Sequence, residues 1–291
     1  MDAPGPRLAP DFAALLRLGP PRLAVAADYT EAVKLPLYEV DAFTGRLFAG
    51  NPAAICPLDE WIGDGLMQSI AAENNLSETA FFVRKGEVYR LRWFTPGMEV
   101  DLCGHATLAS AFVIFEYLDR TAALVRFQTR SGELAVERRG DLLVMDSPAR
   151  PPQRCPASPD VIAALGKAPV EYWASRDIMA VYETEEDVRS LAPDMRALAR
   201  TGQFAIIATA PGRDADFVSR FFAPGAGVDE DPVTGSAHCT LVPYWAARLG
   251  RSDLHALQVS ARGGELFCRN LGGRVEIAGR AVRYLEGSIF V

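Results

Sequence analysis

Two short segments of this chain concentrate residue types that bind anions and move protons. In Val228-Asp-Glu-Asp-Pro-Val-Thr-Gly-Ser-Ala-His238, Asp231, Thr234, Gly235 and Ser236 gather at a strand-to-helix junction. A carboxyl placed there faces the free backbone N–H groups of a helix start, an arrangement suited to holding an anion. The segment Asp101-Leu-Cys-Gly-His-Ala-Thr107 repeats the design with Gly104 and His105. Two such turns, each offering backbone donors and a polar side chain, would form a preorganised site for developing negative charge. Glu78, ahead of the apolar run Ala80-Phe-Phe-Val83, is a carboxyl partly withdrawn from water, as a general acid or base requires. Taken singly, each residue has a plainer reading: Glu78 a solvated strand-end acid, and Asp231, Thr234 and Ser236 helix caps. His238 and Cys239 fall inside the second helix and read as packing. Asn51-Pro52 reads as a turn that starts a helix.

The elements that must position these groups are mixed. Short strand-like runs cover Leu37–Phe43, Thr79–Val83, Val88–Phe94, Leu124–Thr129, Glu133–Glu137 and Asp141–Asp146. Several alternate polar and apolar residues, as half-buried strands do. Helical patterns cover Glu60–Asn74 and Pro159–Leu165, and Ser147–Gln153 reads as a surface loop. The segment Ala106–Leu118 is apolar nearly all round, which marks a helix enclosed on every side. Its counterpart Ser236–Leu249 contains Pro243, which predicts a kink or restart there.

An internal repeat organises these elements. Trp93-Phe-Thr-Pro-Gly97, Val100-Asp101 and Gly104-His-Ala106 are echoed by Phe221-Phe-Ala-Pro-Gly225, Val228-Asp229 and Gly235-Ser-Ala237. Each copy follows a strand-like run and precedes a long apolar segment. A duplicated α+β unit, with its two glycine turns facing across a cleft, accounts for the pattern.

Composition narrows the partners. The 291 residues carry a net charge of −7 without any basic run, which argues against nucleic-acid binding. No apolar stretch reaches the roughly 18 residues of a membrane span. Five scattered cysteines and three histidines lack C-x-x-C and H-E-x-x-H spacing, so neither a disulfide framework nor a metal centre is expected. Reduced thiols suit a cytoplasmic protein. The proline-rich segment 1–34 lacks the features of a targeting signal and reads as an extension of unknown role.

Asp41-Ala-Phe-Thr44, Gly50-Asn-Pro-Ala-Ala54, Leu76-Ser-Glu-Thr-Ala80, Cys103-Gly-His-Ala-Thr-Leu108 and Asp229-Glu-Asp-Pro-Val-Thr-Gly-Ser-Ala-His238, in this order, resemble the phenazine-biosynthesis isomerase-like (PhzF-like) proteins. The resemblance runs from about Leu35 to the C-terminus. It implies a diaminopimelate-epimerase-like α+β fold of two pseudo-symmetric lobes, each a curved, mostly antiparallel sheet around a central helix. Lobe 1 would be 35–128 with a final strand 282–291, and lobe 2 would be 129–281, with the site between them. It also implies that Glu78 shuttles a proton. His105, Asp231 and Ser236 would hold the substrate, and Gly104, Gly235 and Thr234 would line it. The reaction would be a cofactor-independent isomerisation of a small carboxylic acid by a homodimer. Two other readings stand beside it: a binding protein that keeps the fold without turnover, and a two-thiol racemase. The second is disfavoured because Cys103 at the first turn is matched only by Val233 and Thr234 at the second.

Overall fold

The computed structural model describes residues 33–291, so nearly all of segment 1–34 lies outside the described residues. The chain runs β1 (Lys34–Ala42), β2 (Asn51–Leu58), α1 (Asp64–Asn74), β3 (Glu78–Lys85), β4 (Val88–Phe94), β5 (Glu99–Val100), α2 (Gly104–Val113), β6 (Leu124–Thr129), β7 (Gly132–Arg139) and β8 (Leu142–Pro148). It continues through β9 (Gln153–Arg154), α3 (Pro159–Leu165), β10 (Glu171–Ala174), β11 (Ile178–Val181), α4 (Glu185–Arg189), α5 (Met195–Arg200), β12 (Ile206–Pro211) and β13 (Phe217–Phe222). The last elements are α6 (Gly235–Leu249), β14 (Asp253–Gln258), β15 (Gly264–Asn270), β16 (Arg274–Gly279) and β17 (Ala281–Phe290).

Strand pairing makes the duplication visible. In the first half β1–β2 is antiparallel, β2–β3 parallel, β3–β4 antiparallel and β4–β6 parallel, after which β6, β7 and β8 follow antiparallel. The second half repeats that sequence: β10–β11 antiparallel, β11–β12 parallel, β12–β13 antiparallel, β13–β14 parallel, then β14, β15 and β16 antiparallel. β8 pairs with β16 and joins the halves; β17 closes on β1, and β9 on β10. From edge to edge the strand order is therefore a palindrome about β8–β16. Each parallel pair needs a crossover. α1 and α2 supply those of the first half, and α4–α5 and α6 those of the second. The α+β class expected from the sequence holds.

The apolar run beginning at Ala106 explains why α2 is the inner helix. Eight of its ten residues are buried, and it packs on β1, β2, β3, β7, β8 and β17. The expected helix Ala106–Leu118 begins at Gly104 and ends in a π turn, Ile114–Leu118. α6 runs through Pro243 as one helix, so of the kink or restart expected there the restart does not occur. The carbonyl that Pro243 cannot satisfy, that of Cys239, accepts the Arg150 N–H at 2.8 Å instead.

A larger correction concerns Asn51-Pro52, which does not start a helix. The segment is β2, hydrogen-bonded between β1 and β3. Asn-Pro locally favours a turn, but a central strand buried on both faces is apolar throughout, and burial outweighs local propensity.

Phe43 ties the two halves together. It is fully buried in the left-handed region, φ 62°, with its carbonyl held by the Glu265 N–H at 2.9 Å. Gly279 makes room for its ring: a Cβ there would lie 2.5 Å from Phe43 Cδ1.

Candidate active site

The parallel β2–β3 register sets Ala53 beside Glu78, so Asn51 and Glu78 emerge at the same ends of adjacent strands. α2 and α6 begin at equivalent points of the repeat, with Cys103 and Thr234 as their N-caps. Neither cap side chain bonds its helix. The first N–H groups of both helices therefore keep their capacity for an anion. The two starts face each other closely. A Cβ on Gly104 would sit 3.7 Å from Gly235 Cα, and larger residues would force the turns apart.

Four of the expected site residues, Glu78, His105, Asp231 and Thr234, and one read otherwise, Asn51, form a single network. His105 Nε2 lies 3.1 Å from Glu78 Oε2, yet neither atom has a hydrogen-bond partner, so the pair is close but out of line. Behind the imidazole stands Asn51, fully buried. Its Nδ2 reaches Asp231 Oδ1 at 2.7 Å, the Val233 carbonyl at 2.9 Å and His105 Nδ1 at 3.1 Å. An amide nitrogen carries two hydrogens, so the two oxygens take them. His105 Nδ1 is left facing Cys103 Sγ at 3.5 Å. Thr234 donates its hydroxyl to Asp231 Oδ2 at 2.5 Å. Gln258 accepts the Thr234 N–H at 2.8 Å and donates to the Asp231 carbonyl at 2.8 Å. Asp231 is thus clamped by Asn51 and Thr234 and caps no helix.

The electrostatics follow from burial and neighbours. Burial works against a charge on His105, but the Glu78 carboxylate beside it favours the imidazolium and holds the imidazole above its ordinary pKa. The Cys103 thiol is pushed up to about 11 by burial and by Glu78, so it stays protonated at neutral pH. Burial pushes Asp231 up to about 6, against the pull of His105. A protonated His105 facing Glu78, whose side chain is 18 % exposed against 6 % for the histidine, is a site in which a proton can be held or passed on.

Glu78, Cys103 and His105 also bring three ligand-type atoms within 4.8 Å of one another. Cys103 lies on the Nδ1 side of the ring and Glu78 on the Nε2 side. One imidazole nitrogen serves one ion, so the trio as arranged does not converge on a metal.

The family described as phenazine biosynthesis-like protein matches residues 40–287. The chain belongs to the phenazine biosynthesis-like family. An uncharacterized isomerase of Pseudomonas aeruginosa is 54 % identical over 258 residues, covering 88 % of this chain and 99 % of that protein. The crystal structure of a PhzF-family protein from Enterococcus faecalis superimposes with a TM-score of 0.87 at 46 % identity, covering 89 % of this chain and all of that one. A predicted epimerase from Pseudomonas aeruginosa, at TM-score 0.69 and 18 % identity, shares the fold alone, as the epimerase-like architecture requires.

Ser236 stands apart from the phenazine biosynthesis-like network just described. It lies in the first turn of α6, where its hydroxyl accepts from Arg176 Nη2 at 3.2 Å. His238, read as packing, anchors the turn through Nδ1, which donates to the Thr234 carbonyl at 2.8 Å. Sequence reasoning passed over Asn51, Gln258 and Arg176. Asn51 sat in a quoted motif, Gly50-Asn-Pro-Ala-Ala54, but nothing local reveals a partner 180 residues away. A cavity of about 700 Å³ opens behind Gln258, lined also by Arg46, Ser260, Arg262 and Arg280, and does not include Glu78 or His105. No helix among the described residues is long and apolar enough to cross a membrane.

Proposed function

We propose that the protein is a cofactor-independent isomerase that moves a proton on a small unsaturated or cyclic carboxylic acid. The observation that carries this reading is the Glu78–His105 pair, 3.1 Å apart with both facing atoms unpartnered, beside the opposed glycine turns. Glu78 takes a proton from carbon, the C–H electrons shift the double bond, and the same carboxyl returns the proton at another carbon. His105 and Asp231 hold the substrate's polar groups, and the first amides of α2 and α6 stabilise the negative charge, worth roughly 3 kcal/mol per donor in other enzymes. Ser236, Thr234, Gly104 and Gly235 line the bound acid.

Support against two-thiol racemisation comes from the matched N-caps, Cys103 and Thr234: only one is a thiol, and burial keeps it protonated. The names of the relatives, isomerases among them, point the same way. The same reading makes the protein a cytoplasmic homodimer. Incubating it in D₂O with a panel of unsaturated carboxylic acids, read by NMR, tests the chemistry. Deuterium entry at carbon with double-bond migration is expected, and Glu78→Gln should abolish it. Full exchange in that variant would refute the shuttle, and binding without exchange in the wild type would leave a binding protein.

A further inference from the structure

We propose that Arg150 and Arg176 form a second anion subsite beside Ser236, so that the substrate carries a second acidic group, carboxylate or phosphate. This rests on reading the Glu78 cleft as the isomerase site. The placement of Arg150 follows from Pro243. Because Pro243 has no N–H, the Cys239 carbonyl one turn earlier is free and takes the Arg150 N–H at 2.8 Å. That docks Arg150 against the first turns of α6. Its half-buried guanidinium makes no ion pair among the described residues, and its Nη1 is shut from solvent without a hydrogen-bond partner. A guanidinium nitrogen left buried without a partner is costly and calls for an acceptor.

Arg176 arrives from the β10–β11 turn. Asp177, buried beneath it, holds the guanidinium from one side, with Nε on Oδ1 at 3.0 Å and Nη2 on Oδ2 at 3.0 Å. The group lies over the Phe204 ring at 5.1 Å, and its Nη2 also donates to Ser236 Oγ at 3.2 Å. So fixed, its Nη1 has no partner among the described residues. Burial pushes the Cys239 thiol up while both arginines pull against that, as two cations flanking the same turn of α6 would. Ser236 follows Gly235, Gly235 faces Gly104, and Gly104 precedes His105. Arg176 therefore lies on the α6 bank, opposite Glu78, and Arg150 is held by the next turn of the same helix, so a second acidic group there would lock the substrate's orientation. An arginine fork suits an oxyanion better than a point charge does.

Calorimetric titration of wild type, Arg150→Gln and Arg176→Gln with benzoate, isophthalate and 3-phosphonobenzoate tests the subsite. At least one of the two diacids should bind the wild type about tenfold or more tighter than benzoate. Each substitution should erase that preference and leave benzoate affinity unchanged; which diacid is preferred identifies the group. Arg176 is part-exposed, so its variant serves even where Arg150→Gln fails to fold. Equal affinity for all three acids, no binding of any, or a preference that survives both substitutions overturns the proposal. The isomerase reading is judged separately, by deuterium exchange in Glu78→Gln, so either can fail alone.

Discussion

His238 allows a stability prediction with a definite sign. Its Nδ1 donates to the Thr234 carbonyl, so the neutral ring carries its proton there, and Nε2 points into a closed pocket without a partner. Phe217 lies alongside at 5.8 Å. A second proton would have to enter that apolar space, and burial pulls the pKa from 6.5 to about 4, against the bond to Thr234. Between those values the unfolded chain binds a proton that the folded chain refuses. Stability contributed through His238 therefore rises with pH across this window and is lost in acid. The loss amounts to about 2 kcal/mol at pH ~5 and about 3 kcal/mol below pH ~4.

Asp231 acts with the opposite sign. Its folded pKa of about 6 lies above the ordinary 3.8, so it favours the fold in acid, and that contribution disappears as pH rises through about 6. The whole-protein profile mixes the two, and a single variant separates them. In His238→Asn the amide nitrogen stands where Nδ1 stood and keeps the bond to Thr234, but cannot titrate. Urea unfolding followed by tryptophan fluorescence should find this variant less stable than wild type near pH 8, through lost packing. The gap should close by about 2 kcal/mol near pH 5. A gap that is the same at both pH values refutes the buried neutral imidazole.

Other consequences follow from the same contacts. Asn51→Leu removes the amide that joins Asp231 to the His105 side of the site. Exchange at carbon should fall by about 100-fold, because small misplacements of reacting groups cost that much; an unchanged rate would show the clamp to be idle. Gly279→Ala would drive a Cβ to 2.5 Å from Phe43 Cδ1. It should cost roughly 1–3 kcal/mol in chemical denaturation, partly recovered when Phe43→Leu is added; additive losses would place the strain elsewhere. Pro243→Ala gives α6 an N–H that competes for the Cys239 carbonyl. Hydrogen exchange at the Arg150 amide should then speed up about tenfold, as loss of one ordinary hydrogen bond implies.

What was legible in the sequence divides by the range of the interactions involved. The repeat could be read because both copies preserve the same local solution, an apolar strand, a Pro-Gly turn and a glycine at a helix start. Local solutions leave local patterns. The palindrome of strand pairings is the three-dimensional form of that repeat. Asn51 was misread for the converse reason: Asn51-Pro52 locally favours a turn, and only the strands on either side, β1 and β3, make the segment a strand. Glu78, His105 and Asp231 were singled out by motif, but their coupling runs through Asn51 and Gln258, whose bonds to the second turn span 180 and 27 residues.

Pro243 is the sharpest case. Viewed along the helix alone, it is a defect that should interrupt α6. In the folded chain it is the reason a carbonyl is free, and that carbonyl fixes the loop residue Arg150 against the first turns of the helix. A proline is usually taken to report on its own element. Here its information concerns a residue 93 positions earlier, 243 minus 150, and it becomes readable only when every backbone acceptor is asked where its donor comes from.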